Sequence, residues 1–194
     1  MNIIAGRFRG RKLKAPKGLE TRPVQARIRE AIFNQLGDPE GLRFLDLFAG
    51  TGAMGIEAIS RGAESAVFVD SAADPCRIIA KNLATVGRDD RVLRLSVRRA
   101  LERLRTADET FHIVFADPPY DRGLSLKILD DIGAGGVLES GGLFMVTTRA
   151  NEVLPESSGR LARIRERKYG DTLFTVYRDE GEGEKAGLTT DEHR

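Results

Sequence analysis

The sequence predicts an α/β fold, a doubly wound and mostly parallel sheet that closes in a C-terminal antiparallel hairpin and carries a small basic hairpin at its N-terminus. Three observations carry this. From Arg43 onward, short apolar runs alternate with segments of helical periodicity, the pattern of βα units. The first run ends in a glycine turn of the G-x-G-x-x-G type, made by Gly50, Gly52 and Gly55. The fourth ends in Asp117-Pro118-Pro119-Tyr120, where two prolines remove backbone donors and stiffen the chain just past a strand.

Taken in order, Ile3-Ile4-Ala5 and Lys12-Leu13-Lys14 flank Gly6-Arg7-Phe8-Arg9-Gly10 and read as a short hairpin, with Phe8 packing on the core. Thr21-Arg22-Pro23 opens a helix whose apolar face is Val24, Ile28, Ala31, Ile32 and Leu36, stopped by Gly37. A buried strand at 43–48 leads through the glycine turn to a helix at 53–61, ended by Gly62. A strand at 65–69 ends at Asp70. It is followed by a helix near 72–86, a strand near 91–95, a helix near 98–104 and the strand 111–116. Next come a helix at 124–132, a strand at 143–147 and a hairpin of 160–167 with 173–177 around Tyr169-Gly170-Asp171. Past Glu180 the apolar pattern stops, as in disordered tails. The expected division is a basic arm over 1–22, one catalytic domain over 23–178 and an acidic tail over 179–194.

The chain has 194 residues, enough for one α/β domain with a modest appendage, and 41% hydrophobic content is ordinary for a globular protein. No apolar run approaches membrane-spanning length and no signal-peptide core is visible, so a cytoplasmic location is expected. Cys76 is the sole cysteine, which excludes an intrachain disulfide and a cysteine zinc cluster; it is expected to be small and buried in a helix. With only His112 and His193, no histidine metal site is expected, and His112 should support the strand leading to Asp117. The net charge of +2 hides an asymmetry. Residues 1–29 balance at +8, residues 179–194 at −4, and the rest at −2. A basic arm on a nearly neutral core points to a polyanionic partner.

Two constellations carry the chemistry. Asp117 and the Pro118 carbonyl can accept both hydrogens of an –NH2 group, while Tyr120 can stack on the flat ring that bears it. That suits a nucleobase with an exocyclic amine. Upstream, the turn Phe48-Ala49-Gly50-Thr51-Gly52 allows close backbone approach to a ligand, and Asp70 ends a strand where a carboxylate can take both ribose hydroxyls. NAD and S-adenosylmethionine fit that much equally well. Asp46 discriminates: a carboxylate just before the glycine turn is awkward beside a pyrophosphate but suits an ammonium and a sulfonium. Asp46, Asp70, Ser96 and Asp117 all fall at carboxyl ends of predicted strands, so one crevice can hold them.

The combination resembles the class I S-adenosylmethionine-dependent methyltransferases acting on exocyclic amines of bases, whose fold is Rossmann-like. The span from Ile3 to about Tyr177 is similar to the RsmD-type enzymes, which methylate N2 of a guanine in 16S ribosomal RNA. Four segments carry this resemblance: Ile4 to Leu13, Thr21-Arg22-Pro23 with Arg27 to Asn34, Asp46 to Gly62, and Asp117 to Tyr120. It implies S-adenosylmethionine as cofactor, held by Asp46, Phe48, Ala49, Gly50, Thr51, Gly52, Asp70, Ser96 and Val97. It implies catalysis at Asp117, Pro118, Pro119 and Tyr120, and RNA phosphates gripped by Arg7, Arg9, Arg11, Lys12 and Arg22. The expected partner is 16S rRNA, free or within an assembling small subunit, and the expected state is a monomer without metal. The chain departs from the family pattern at Ala26, at Thr147, at Ser96-Val97 and in having Tyr120 where some relatives carry Phe. Rival readings are a DNA adenine-N6 methyltransferase, a non-catalytic RNA-binding assembly factor and, more distantly, an NAD oxidoreductase.

Overall fold

The structure, a computed structural model, describes residues 1–15, 23–37, 39–119 and 123–181, with side chains in the first helix from Ala26 onward. Eight strands form one sheet in the order β3-β2-β1-β4-β5-β8-β7-β6. Strands β1 (Arg43–Leu47), β2 (Ser65–Asp70), β3 (Val92–Arg94), β4 (Phe111–Ala116) and β5 (Leu138–Arg149) are parallel. β6 (Ser157–Ser158), β7 (Leu161–Tyr169) and β8 (Thr172–Asp179) extend the sheet antiparallel beyond β5. The helices are α1 (Pro23–Leu36), α2 (Ala53–Ser60), α3 (Ala73–Thr85), α4 (Val97–Thr106) and α5 (Leu124–Gly133).

Alternation along the strands builds a core on each face of the sheet. Phe44, Phe68, Ile113 and Met145 pack with α1, α2 and α3, while Leu45, Val69, Val114 and Val146 pack with α4 and α5. β5 begins five residues earlier than its apolar run suggests, because Leu138 pairs with Phe111 before a bulge restores register at Ile113 and Leu143. β8 runs through Asp179, which is buried and ion-paired with Arg160, so the folded part outlasts the expected boundary at 178. The tail from 182 lies outside the described residues.

The N-terminal segment is part of the core. Its hairpin reduces to one antiparallel bridge, Asn2 with Lys12, and Ile3, Phe8 and Leu13 are all buried in the cluster under α1, α2 and α3. Gly6 is needed here: its φ is +78°, and a Cβ would stand 1.8 Å from the Ser60 carbonyl oxygen. Glu57 of α2 anchors the segment from inside. Its fully buried carboxylate accepts from the backbone of Ile4 at 2.8 Å and Ala5 at 2.9 Å, and pairs with Arg61 at 3.0 Å. Arg29 Nε, 3.5 Å away, adds charge without hydrogen-bond geometry, and burial lowers the Arg29 pKa against the pull of Glu57. Cys76 is half-buried, not buried, with its thiol 3.5 Å from the Asp70 carbonyl; burial and the Asp70 charge push its pKa up.

Candidate active site

Register places the predicted site residues side by side at the carboxyl ends of the strands. Leu47 pairs with Val69 on one side and Ala116 on the other, so Asp70, Phe48 and Asp117 follow in neighbouring strand ends. The strand order reverses between β1 and β4, the switch point at which open α/β sheets bind ligands. Phe48 takes φ 57°, a conformation rare for a side chain of that bulk, and Gly50 and Gly52 follow at 56° and 74°. The third glycine, Gly55, serves packing: a Cβ there would stand 2.4 Å from the Phe68 ring.

The carboxylates hold this turn. Asp70 accepts from the Gly50 N–H at 3.0 Å and from the Ala72 N–H at 2.9 Å. Asp46 is buried at 2% exposure and accepts from the Gly55 N–H at 2.9 Å, tying β1 to the first turn of α2. Burial pushes its pKa up to about 8; the Gly55 bond opposes this, and the negative charges of Asp117 and Asp70 add to it. Three carboxylates converge on one crevice beside an open backbone turn. These acceptors fit a ligand with cationic groups and a ribose, and Asp70 and Asp117 disfavour a pyrophosphate.

Asp117 stands exposed one residue past β4, and Pro118 behind it is buried. The hydroxyl of buried Thr147, on β5, donates to Asp117 Oδ1. In the sequence Thr147 stands out only as a departure from the family pattern; beside Asp117 it orients the carboxylate. Ser96 is exposed and caps α4, accepting from the Arg99 N–H at a long 3.5 Å, with Val97 opening that helix. Tyr120 and Arg22 lie outside the described residues. His112 sits at the opposite end of β4, bonded to the Arg43 N–H and close to Glu139, and supports the strand without reaching the site. Among the described residues no cluster of His, Cys, Asp and Glu could hold a metal, and no helix is long and apolar enough to cross a membrane.

Sequence reasoning missed Asn82 of α3. Fully buried, it accepts from the Lys14 N–H at 2.7 Å and donates to the carbonyls of Lys14 at 3.0 Å and Thr51 at 2.9 Å. It thus clasps the end of the N-terminal segment to the glycine turn. A lone Asn in an amphipathic helix was the one available signal. The N-terminal arginines have a different address from the crevice. The Arg7 N–H bonds to the Ser60 carbonyl at the last residue of α2, and the Arg11 guanidinium reaches the Thr85 carbonyl at the last residue of α3, three residues past Asn82. Arg7, Arg9, Arg11 and Lys12 are exposed there, and the Arg7 and Arg11 guanidinium groups lie about 5.5 Å and 5.4 Å from the Phe8 ring centroid.

The profile of the family described as Conserved hypothetical protein 95 matches residues 1–178. The chain belongs to this family. Named relatives of the chain are of the RsmD type. "Putative rRNA methyltransferase YlbH" of Bacillus subtilis is 38% identical over 185 residues, 93% of this chain and all of that one. "Ribosomal RNA small subunit methyltransferase D" of Escherichia coli K12 is 33% identical over 185 residues, covering 95% of this chain and 92% of the other. Among solved structures, "Putative methyltransferase yhhF from Escherichia coli" superposes with a TM-score of 0.81 at 34% identity, over 93% of this chain and 98% of that one. The RsmD-type family is therefore the right frame for the crevice, and the chain is an enzyme of the methyltransferase class.

Proposed function

We propose that this enzyme moves a methyl group from S-adenosylmethionine to the exocyclic N2 amine of a guanine in 16S ribosomal RNA, acting as a cytoplasmic monomer. The observation that carries the reading is the Asp117 carboxylate, held by Thr147 at the end of β4 beside the glycine turn. S-adenosylmethionine supplies an electrophilic methyl group. The crevice would hold it by its ribose at Asp70 and its cationic end near Asp46, with Phe48, Ala49, Gly50, Thr51 and Gly52 along its length and Ser96-Val97 at the adenine end.

The guanine amine is a poor nucleophile because its lone pair is delocalised into the ring. Asp117 and the Pro118 carbonyl accept its two hydrogens, which favours a pyramidal nitrogen with the lone pair aimed at the methyl carbon. Thr147 occupies one carboxylate oxygen and so fixes the rotation of Asp117. The carboxylate also complements the positive charge that builds on nitrogen as the N–C bond forms and the C–S bond breaks. The proton then leaves the methylated amine. Pro119 stiffens the turn, and Tyr120 would stack on a base presented from a loop or flipped from a helix. Arg22 would grip RNA phosphates, as the family resemblance implies. Arg7, Arg9, Arg11 and Lys12 would attract a long RNA from farther off.

The test is nucleoside mass spectrometry of 16S rRNA with and without the gene, followed by methyl transfer in vitro to the rRNA from the gene-deleted cells. N2-methylguanosine that disappears with the gene and returns with the purified enzyme is the expected result. An unchanged rRNA profile, or methyl transfer to adenine in DNA instead, overturns it.

A further inference from the structure

We propose that Arg149, Arg167 and Lys168, at the carboxyl-end rim of β5 and β7, dock the phosphates flanking the target nucleotide; this rests on the chain being an RNA methyltransferase. Register locates them against the catalytic carboxylate. Thr147, which bonds Asp117, pairs with Phe174, and Phe174 pairs with Arg167. Arg167 therefore stands level with Thr147 two strands away, roughly 10 Å between backbones. Arg149 lies two residues beyond Thr147 on the same strand and face, about 7 Å further along. Lys168 follows Arg167 and points to the opposite face of β7. The proposed cofactor residues Asp46 and Asp70 lie on the β1 and β2 side of Asp117, which leaves the β5, β8 and β7 side for the sugar and phosphates of the target nucleotide.

Charge pairing separates Arg167 and Lys168 from the other cations of the hairpin. Arg160 is committed to Asp179, and Arg163 to Glu156 and Glu166. Arg165 is 3.4 Å from the Gln35 amide oxygen. Arg149, Arg167 and Lys168 are exposed, and the structure shows no ion pair for Arg167 or Lys168 among the described residues. Glu152 and Asp171 are the acids nearest these cations in the chain apart from Glu166, which Arg163 holds. β6 covers only Leu161 and Ala162, leaving the rest of β7 as an open edge. Charges on an edge strand also discourage pairing with another chain. That role alone would favour no particular end of the strand, whereas Arg167 and Lys168 sit at the end that faces the crevice. Phosphate contacts of this kind orient an RNA without reading its sequence.

The experiment compares the full-length enzyme with the variants R149Q/R167Q/K168Q and R7Q/R9Q/R11Q. Affinity for 16S rRNA from gene-deleted cells is measured against salt, with S-adenosylhomocysteine affinity measured alongside. The rim variant should bind S-adenosylhomocysteine normally while its slope of log affinity on log salt flattens by roughly 2–3, at about 0.7–0.9 per phosphate. The distal variant should change that slope by less than about 1. A rim variant with the wild-type slope overturns the proposal, and so does one that merely aggregates with its slope intact. If the triple substitution abolishes S-adenosylhomocysteine binding, R167Q and K168Q decide singly: each must flatten the slope, and a wild-type slope in both overturns the proposal. A wild-type enzyme that neither binds nor methylates this rRNA would instead remove the RNA reading itself, before any variant is considered.

Discussion

The Thr147 hydroxyl, buried on β5, donates a hydrogen bond to Asp117 Oδ1, thirty residues earlier at the end of β4. The bond crosses between neighbouring parallel strands whose register is fixed four residues back, at Ile113 with Leu143, and held through Ala116 with Val146. Asp117 is exposed, and the Thr147 hydroxyl sets the direction of one of its carboxylate oxygens.

Thr147→Val should lower turnover with little change in S-adenosylmethionine affinity, because the hydroxyl touches Asp117 and not the glycine turn. A lost hydrogen bond to a charged acceptor is worth about 1.5–3 kcal/mol, or roughly ten- to a hundredfold in rate. Thr147→Ser should recover most of it. Asp117→Ala removes the acceptor itself and should cost on the order of 100-fold or more. Single-turnover rates beside calorimetric cofactor affinities check this; equal rates for Thr147→Val and wild type would leave Asp117 oriented by something else.

Asp70→Ala should act on the other half of the crevice. The carboxylate holds the N–H groups of Gly50 and Ala72, so its loss both removes the proposed ribose contact and loosens the turn. Cofactor affinity should fall by about 2–4 kcal/mol, less where water substitutes. Turnover at saturating cofactor should fall much less. Calorimetry showing wild-type affinity would place the ribose elsewhere.

The doubly wound sheet was legible because its strands are short apolar runs punctuated by glycine; Asp70 and Asp117 were legible because each ends such a run, and Asp46 because it is the acid inside one. The role of the N-terminal segment was harder to read. Ile3, Phe8 and Leu13 recur every five residues, a spacing that matches neither helix nor strand, so a segment anchored in the core by these three side chains looked like a basic arm. Thr147 and Asn82 were silent for another reason: their roles exist only across strands or between segments, as contacts with Asp117, Lys14 and Thr51. Glu57 did leave a trace. It is the sole acid in Ala-Met-Gly-Ile-Glu-Ala-Ile-Ser, a helix otherwise without charge.

Glu57→Gln tests whether that trace marks a structural keystone. The amide would still accept one backbone bond, but it would leave Arg29, 4% exposed, without its counter-charge. Breaking a buried pair from one side typically costs about 3–5 kcal/mol. Urea unfolding should show a loss of that order, and amide exchange should rise first at residues 3–13. A loss within about 0.5 kcal/mol would mean that the segment is held by its apolar residues alone.

Asp46→Asn should separate stability from cofactor binding through pH. With its pKa pushed up to about 8 by burial, folded Asp46 carries a proton over the range from the ordinary carboxylate value of 3.8 upward. The unfolded chain loses that proton near 3.8, so the folded state binds more protons across this window and stability must fall as pH rises through it. Asn cannot titrate, yet its carbonyl can still accept from the Gly55 N–H. Without cofactor, the variant should therefore gain on wild type steadily from pH 5 to pH 8.5 in urea unfolding. Cofactor affinity should run the other way, because a cationic ligand near Asp46 favours the ionised carboxylate. Wild-type affinity should climb over the same pH range while that of Asp46→Asn stays low and flat. Parallel stability curves for the two proteins would show that Asp46 is already ionised in the folded enzyme.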